Sequence, residues 1–319
     1  MKKILLIAGG GTLGTYATEE LLNLGHKVDV ICLEDKISNN ADLKYYKENA
    51  TYEYLEKLFE KENYDGIINF IHYVDVEEYK RVYRLLIRNT EHLIFLSSYR
   101  VYADLEHPIK ETSPLLLDAI DDKLFEAEEN YAVPKTKCER FLRTECKGEN
   151  WTIVRPVISF SKNRFDLFVH NLTKTGQYVI ECVQSGTPVV LPECAKEIVA
   201  GLDWAGNTGK LIARLLFKKE AFGEAYTVSS AENLMWSEVA DIYTELIGLA
   251  VEYQPTEEYV KDRYPLEKHW GFWYDRIYSR SIDNRKILEA TGVKKEELLS
   301  IKEGLKIELD KFGFKYNDI

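Results

Sequence analysis

The chain has 319 residues, 45% hydrophobic and 30% charged, which is enough to bury a full core in one large domain or two joined ones. Its formal net charge of -11 argues against nucleic-acid binding, because affinity for phosphate backbones comes mainly from clustered Lys and Arg. The 5 cysteines include no C-x-x-C pair, and no apolar run approaches the roughly 18 to 20 residues that cross a bilayer, so we expect a cytoplasmic protein with reduced thiols, no metal site and no membrane span.

The N-terminal segment has the pattern strand, glycine turn, helix, strand. Residues 4–8 are a wholly apolar run, residues 13–24 carry apolar side chains at helical spacing, and residues 28–33 are a second apolar run. This order predicts a βαβ unit with a parallel sheet.

The alternation continues through the first half of the chain. It predicts helices at 52–61, 76–87 and 131–146 and strands at 66–71, 93–97 and 151–155. Strands alternating with helices indicate an α/β fold with a Rossmann-type, doubly wound parallel sheet, which we assign to residues 1–160.

Glycines and prolines break the pattern beyond Ser159, as expected where a chain builds a pocket. We assign residues 161–319 mainly to a smaller, substrate-binding lobe, with segments near 200–230 returning to the first domain. Helices are predicted at 208–217, 237–247 and 302–312, and Ser237 is the expected N-cap of the second of these.

A glycine-rich turn joins the first strand to the first helix. Its motif G-x-G-x-x-G lets peptide N–H groups at the helix start face a pyrophosphate. The candidate cofactor ligands are Gly9, Gly11, Thr12, Leu13 and Gly14. A tight turn without a ligand is the alternative interpretation of the motif.

An acid at the end of the second strand would bind the adenosine ribose hydroxyls and favour NAD. Cys32 stands at that strand end, and Glu34 follows slightly later. We take Glu34 as the ribose ligand and expect NAD, since no arginine lies near the strand end, and leave NADP open. A solvated loop acid is the competing interpretation.

Tyr131 and Lys135 are four residues apart, so on a helix their side chains lie on one face. Free tyrosine, with a pKa of about 10, is a poor base at neutral pH, but a neighbouring ammonium stabilises the phenolate. Tyr131 is therefore the candidate general acid and base, and Lys135 tunes it and can also hydrogen-bond a nicotinamide ribose. Pro134 is tolerated in a first helical turn, which puts the helix start near Tyr131. A solvated helical pair is the alternative.

Ser97 and Ser98 close the predicted strand 93–97. They therefore stand at the carboxyl end of a parallel strand, where doubly wound folds bind ligands. A serine there is placed to hold a substrate hydroxyl, although it can also simply end the strand.

Together these residues resemble the extended short-chain dehydrogenase/reductases, the NAD-dependent epimerase/dehydratase family of nucleotide-sugar enzymes. The matching blocks are ILLIAGGGTLG at 4–14, GHKV at 25–28, FLSSYRVY at 95–102, YAVPK at 131–135 with Glu139, VRP at 154–156, YTV at 226–228 and DNRK at 283–286. The resemblance aligns Ser98, Tyr131 and Lys135 with the family's catalytic set. It implies an NAD(P)-dependent epimerase or reductase acting on a nucleoside-diphosphate sugar, and a homodimer.

The sequence also departs from the family pattern. The family's first motif glycine falls on Ala8, its ribose-binding acid on Cys32, and the stretch between residues 71 and 93 is short. The Asp-Glu pair that dehydratases carry beside the catalytic Ser/Thr is replaced by Tyr99-Arg100, which disfavours a 4,6-dehydratase.

Arg276 and Arg280 are candidate substrate ligands near the aromatic residues 270–274, because guanidinium suits bidentate phosphate contacts. Solvated arginines beside a tryptophan-filled core are the alternative. Two other functions stay open: a non-catalytic or RNA-binding family member, and a reductase of small ketones or aldehydes.

Overall fold

The computed structural model describes residues 1–168, 175–264 and 270–314. The strands in these ranges are β1 Lys3–Ile7, β2 Lys27–Cys32, β3 Leu43–Lys47, β4 Gly66–Asn69, β5 His92–Leu96, β6 Trp151–Pro156, β7 Ile158–Phe160, β8 Val189–Pro192, β9 Leu202–Trp204, β10 Glu224–Val228 and β11 Val251–Gln254. The helices are α1 Thr12–Asn23, α2 Tyr52–Phe59, α3 Val76–Ile87, α4 Leu116–Ala119, α5 Lys123–Glu128, α6 Ala132–Glu145, α7 Thr175–Ser185, α8 Ala205–Leu215, α9 Trp236–Ile247, α10 Thr256–Arg263, α11 Arg285–Thr291 and α12 Ile301–Phe312.

Seven strands form the central sheet in the order β10-β6-β5-β4-β1-β2-β3. Every pairing in this sheet is parallel, and Ile4 of β1 lies between Val28 of β2 and Gly66 of β4. The chain leaves β1 in one direction towards β2 and β3 and then returns to β4, so the strand order reverses beside β1. The predicted Rossmann-type sheet is confirmed, and its switch point is where ligands bind in such folds.

Strand side chains alternate between the two faces of the sheet, and each face carries its own core. Leu5, Ile7 and Ile67 pack on one face with α2, α3 and α6. Ile4 and Leu6 pack on the other with α1, α8 and α11. Burial on both faces explains why these strands read as continuous apolar runs in the sequence.

The strand β3 was absent from the sequence prediction. It lies at the edge of the sheet, and its residues LKYYK are exposed or half-buried. An edge strand is covered on fewer sides and needs no apolar run, so its composition does not distinguish it from a loop.

A third hydrophobic core is centred on the aromatic residues Phe168, Trp236, Tyr259 and Phe272. We call the region around this core the second lobe. The short parallel pairs β7–β9 and β8–β11 belong to this part of the chain. Strand β10 follows β9 in the sequence but belongs to the central sheet, where it pairs with β6 at the edge. The domain boundary at residue 160 stays a prediction.

Two helices show what pattern reading predicts and what it misses. Helix α3 spans Val76–Ile87, the predicted residues. The predicted N-cap Ser237 is wrong, because α9 begins at Trp236 with Met235 as its N-cap. The backbone N–H of Met235 donates to the Glu238 carboxylate at 2.7 Å, so an acid inside the first turn caps this helix.

The C-terminal helix α12 is tied to the glycine-turn helix α1 by one buried acid. Glu308 accepts hydrogen bonds from the Tyr16 hydroxyl and from Trp204 Nε1 at 2.8 Å, and the N–H of Lys162 donates to it at 2.7 Å. These contacts hold the start of α1 against the loop that follows β7.

Candidate active site

A cavity of about 570 Å³ lies at the carboxyl ends of β1, β5 and β6, between the sheet and the second lobe. Its lining includes the start of α1, both serines after β5, the predicted tyrosine, one aspartate and three arginines: Gly11, Thr12, Leu13, Gly14, Ser97, Ser98, Arg100, Tyr131, Arg164, Asp275 and Arg276. Residues predicted from separate motifs therefore meet in one space.

The glycine turn presents the N-terminus of α1 to this cavity. Gly11 is the N-cap of α1, and a Cβ added to it would meet nothing within 4 Å. A Cβ on Gly14 would instead overlap the carbonyl group of Gly9. Gly11 thus leaves room for a ligand beside the helix start, whereas Gly14 lets the helix pack closely on the turn.

Ala8 stands where the related family has its first motif glycine, and it adopts a left-handed backbone conformation with φ 56. This conformation is disfavoured for residues with a Cβ. The turn therefore keeps the geometry that a glycine normally provides, although the residue is alanine.

A second cavity of about 240 Å³ lies on the other side of the turn, lined by Gly10, Cys32, Glu34, Glu48 and Asn49 among others. Glu34 is exposed and lies against Gly10, and Cys32 ends β2 as predicted. The sequence prediction considered arginines near this strand end but overlooked Lys36, whose Nζ donates to the Gly10 carbonyl at 2.6 Å.

Ser97 and Ser98 follow the last residue of β5 and are both buried. The Ser98 hydroxyl accepts a hydrogen bond from the N–H of Arg100 at 3.3 Å and caps a single 3₁₀ turn. Both serines line the larger cavity.

Tyr131 is the N-cap of α6, and its ring lines the cavity. Lys135 lies one turn later, with its Nζ 5.4 Å from the centre of the Tyr131 ring. The Lys135 side chain is buried, and its Nζ donates to the Leu96 carbonyl at 2.7 Å. Burial lowers the pKa of Lys135, which the nearby Tyr131 partly offsets.

A buried ion pair holds α6 against the sheet. Arg155 of β6 donates through Nε to Glu139 of α6 at 2.9 Å, and its Nη2 binds the second oxygen of the same carboxylate. Burial would raise the pKa of Glu139, but the Arg155 guanidinium outweighs it and lowers that pKa. Two sequence blocks of the resemblance are thus in direct contact and fix the helix that carries Tyr131 and Lys135.

Arg276 enters the cavity from the second lobe and is only 4% exposed. Its Nη2 lies 3.4 Å from Asp166 and its Nε 3.9 Å from Asp275. Burial opposes its charge, but these two carboxylates raise the pKa of Arg276 above its ordinary value. Its Nε and Nη1 have no hydrogen-bond partner among the residues that the structure describes.

Arg280, the other predicted substrate ligand, lies elsewhere. It is 1% exposed, its Nη1 donates to the Tyr102 carbonyl at 3.0 Å, and its guanidinium stacks 5.0 Å from the centre of the Tyr99 ring. It is not among the residues that line the larger cavity.

Several cavity residues were not assigned a role from the sequence. Arg100, Arg164 and Asp275 line the cavity, and the His72 ring lies 5.1 Å from the Tyr131 ring. Arg100 was visible within the serine block as a departure from dehydratases. The others carry no local motif, because their neighbours at the site come from distant parts of the chain.

Across residues 1–168, 175–264 and 270–314, no helix is long and apolar enough to span a membrane. The same ranges contain no group of three or more His, Cys, Asp or Glu side chains that could hold a metal ion.

Comparison with known sequences gives one family. The profile of the NAD-dependent epimerase/dehydratase family matches residues 5–198, which is more than half of the chain. A comparison with curated protein sequences gives no match.

Solved structures of similar fold cover nearly the whole chain. An epimerase from Methanothermobacter thermautotrophicus has 16% identity, a TM-score of 0.74 and coverage of 98% of this chain and 92% of its own. A UDP-glucose 4-epimerase from Thermotoga maritima, solved with UDP-glucose, has 16% identity, a TM-score of 0.72 and 98% coverage of both chains. A dTDP-glucose 4,6-dehydratase from Bacillus anthracis, solved with NAD, has 15% identity, a TM-score of 0.71 and coverage of 98% and 97%. At these identities the likeness establishes the fold.

Proposed function

The chain belongs to the NAD-dependent epimerase/dehydratase family, and on that premise we propose that it is an NAD-dependent epimerase or reductase of a nucleoside-diphosphate sugar. The observation that carries the proposal is the larger cavity. It combines an open helix N-terminus, Ser98 and Tyr131 in one lining, and a buried arginine with unused donors.

The glycine turn fits a dinucleotide. The start of α1 offers peptide N–H groups and the positive end of the helix dipole, and Gly11 leaves space beside them for a pyrophosphate. The second cavity beyond Gly10 would take the adenosine, with Glu34 at its ribose. When bound, the oxidised cofactor would accept a hydride from the sugar carbon, and the reduced cofactor would donate one to it.

Tyr131 would exchange a proton with the reacting sugar hydroxyl, and Ser98 would orient that hydroxyl by a hydrogen bond. Lys135 would stabilise the phenolate form of Tyr131 from within the same helix and donate to a ribose hydroxyl of the cofactor. Its hydrogen bond to the Leu96 carbonyl keeps the ammonium beside the cavity. These are general acid and base roles that serve an epimerase and a reductase equally.

Arg276 would bind the diphosphate of the substrate. Its unused Nε and Nη1 donors favour an anion, and a planar guanidinium suits two phosphate oxygens. Tyr99 and Arg100 stand where dehydratases carry two acids, so we do not propose a 4,6-dehydratase.

The first experiment measures the binding of the cofactor and of the substrate nucleotide. Titration of the purified protein with NAD and NADP would show whether the glycine turn holds a cofactor. Melting temperature in the presence of UDP, dTDP or GDP would identify the nucleotide, since a ligand that binds the folded state stabilises it by mass action. We expect NAD and one of the three nucleotides to bind.

The reaction is then followed by NMR on the matching nucleotide sugars with NAD or NADH. A change of sugar stereochemistry without net NADH consumption identifies an epimerase, and stoichiometric consumption a reductase. Absence of any NAD or NADP binding would overturn the proposal and favour a non-catalytic family member. Reduction of a simple ketone by NADH or NADPH without binding of UDP, dTDP or GDP would favour the small-carbonyl reductase.

A further inference from the structure

Arg100 occupies a specific place between the serine block and the candidate catalytic tyrosine. Its guanidinium carbon lies 4.9 Å from the centre of the Tyr131 ring, and its backbone N–H donates to Ser98. Its side chain is 14% exposed and lines the larger cavity. A cation therefore stacks on Tyr131 in addition to Lys135.

Two buried carboxylates hold Arg100 in this position. Its Nε lies 3.2 Å from Asp275, and its Nη2 lies 3.5 Å from Glu129. The Asp275 side chain is 2% exposed and the Glu129 side chain 8%. These two carboxylates constrain the Arg100 guanidinium, so Arg100 is placed to orient its neighbours.

Glu129 also determines where Tyr131 sits. The oxygen that does not face Arg100 accepts the N–H groups of Tyr131 at 2.9 Å and of Val133 at 3.0 Å. These are N–H groups at the start of α6, which have no partner within the helix. Glu129 therefore fixes the helix start and contacts Arg100 at the same time.

The charged contacts continue into the second lobe. Asp275 also faces Arg276, Arg276 faces Asp166, and Asp166 pairs with Arg164 at 2.9 Å. We call this alternating series from Glu129 to Arg164 the charge ladder. It joins the start of α6 to the proposed diphosphate ligand Arg276 through one intermediate arginine.

We propose that Arg100 is a positioning residue that fixes Tyr131 through Glu129 and makes its position depend on what Arg276 binds. Only the second half of this inference, the dependence of the Tyr131 position on what Arg276 binds, rests on the proposed function. The first half concerns the free protein and needs no substrate.

The test uses the full chain labelled with [13Cζ]tyrosine, in which the NMR signal of Tyr131 is assigned by its loss in Tyr131→Phe. In the free protein, Arg100→Gln and Glu129→Gln should each displace the Tyr131 signal beyond its linewidth, and Arg100→Lys should restore it most of the way. Glu129→Gln keeps an oxygen that can accept the N–H groups at the helix start, and it leaves Asp275 beside Arg100. This variant therefore tests the contact between Glu129 and Arg100 even if Arg100→Gln folds poorly.

Arg81→Gln is the matched control. Arg81 also stacks on a tyrosine, with its guanidinium carbon 3.8 Å from the Tyr52 ring centre, and also pairs with a glutamate, Glu53, at 3.2 Å. It lies on the surface, outside the cavity lining. This variant should leave the Tyr131 signal unchanged.

UDP is the probe for the second half. In the parent protein, UDP should shift the Tyr131 signal, whereas in Arg100→Gln it should bind within about threefold of the parental Kd and leave that signal in place. With a sugar that the parent turns over, Arg100→Gln should lower kcat about tenfold to 100-fold and change KM little, as expected for a misplaced catalytic group.

The outcomes separate the two proposals. If UDP, dTDP and GDP all fail to bind the parent, the proposed substrate class fails, while the spectra of the free variants still decide the role of Arg100. If Arg100→Gln and Glu129→Gln leave the Tyr131 signal at its parental position, or Arg100→Lys does not restore it, the positioning role is wrong.

Discussion

The two walls of the larger cavity differ in how they hold charge. The sheet wall, formed by the glycine turn, Ser98 and Tyr131 and supported by the buried Lys135, relies on backbone groups, hydroxyls and one lysine. Within the described residues, Lys135 has no carboxylate within 4.0 Å, and its ammonium is held by the carbonyl of Leu96. The lobe wall, formed by Arg164, Asp275 and Arg276, consists of side chains in ion pairs, two of which are made with Asp166.

This difference sets the charge states of the two walls. Burial without a paired acid lowers the pKa of Lys135, whereas two carboxylates raise that of Arg276. The lysine of the sheet wall therefore gives up its proton more readily than a free lysine, whereas the lobe wall keeps a permanent cation. One wall suits chemistry and the other suits holding an anion.

The largest effect is expected on removing the phenol hydroxyl of Tyr131, which changes the sheet wall and leaves the lobe wall intact. We expect Tyr131→Phe to lower turnover by about 10²- to 10⁴-fold, the usual contribution of a general acid or base. NAD and UDP should bind within about twofold of the parental Kd, because the fold and Arg276 are untouched. Tyr54→Phe on the surface helix α2 is the control. Parental turnover in Tyr131→Phe would remove Tyr131 from the chemistry.

The lobe wall is tested by Arg276→Lys, which keeps a cation between Asp166 and Asp275 but removes the planar fork. Hydrogen bonds to charged groups contribute about 1.5–3 kcal/mol, so the Kd of UDP should rise about tenfold to 150-fold. NAD should bind as in the parent protein. Calorimetric titration of both ligands checks this, and an equal loss of both would show that the walls are not independent.

Two glycines of the turn should respond differently to a methyl group. Gly14→Ala drives a Cβ into the Gly9 carbonyl, and such overpacking costs about 1–3 kcal/mol of unfolding free energy. Gly11→Ala places its Cβ in open space at φ -78, so stability should hold while NAD affinity falls. Urea unfolding and NAD titration separate the two effects. A stable Gly11→Ala variant with parental NAD affinity would exclude this turn as the pyrophosphate site.

The buried lysine should make stability depend on pH. Because the folded-state pKa of Lys135 is lowered, the unfolded chain binds this proton more tightly, and folding pays for the buried charge at neutral pH. This cost shrinks as pH rises towards the unfolded pKa of about 10.4. The parent should therefore gain stability relative to Lys135→Met as pH rises from 7 towards about 10.4. A difference in unfolding free energy that stays constant across this range would contradict the lowered pKa.

The smallest effect is expected from changing Glu34, the proposed ligand of the adenosine ribose. Glu34 is exposed, so its contribution to cofactor choice is screened by water. Glu34→Gln should reduce the preference for NAD over NADP by only about threefold to fivefold, the size of one exposed hydrogen bond. Lys36→Gln is the companion variant, since its ammonium is the nearby cation. Stronger parental binding of NADP than of NAD would show that Lys36 rather than Glu34 sets the choice.

Much of the sheet and its first motifs could be predicted from the sequence. Residues 4–8 and 66–71 read as buried strands because parallel strands are covered on both faces, and α3 was predicted at its observed bounds. The edge strand β3 could not be predicted, because its pairing with β2 rather than its composition makes it a strand. The start of α9 was predicted wrongly because Glu238, an acid inside the first turn, caps the helix at Met235.

By itself the sequence determined the α/β class, which follows from the alternation of strands and helices along the chain. It also determined the glycine turn and the pairing of Tyr131 with Lys135, since these follow from spacings of a few residues. Only the tertiary structure decided which arginine faces the cavity and which lies against Tyr102. It alone placed Arg100 between Glu129 and Asp275, 146 residues apart in the chain. The reason is physical: ion pairing acts over a few ångströms in space, and a sequence records no such distance between remote residues.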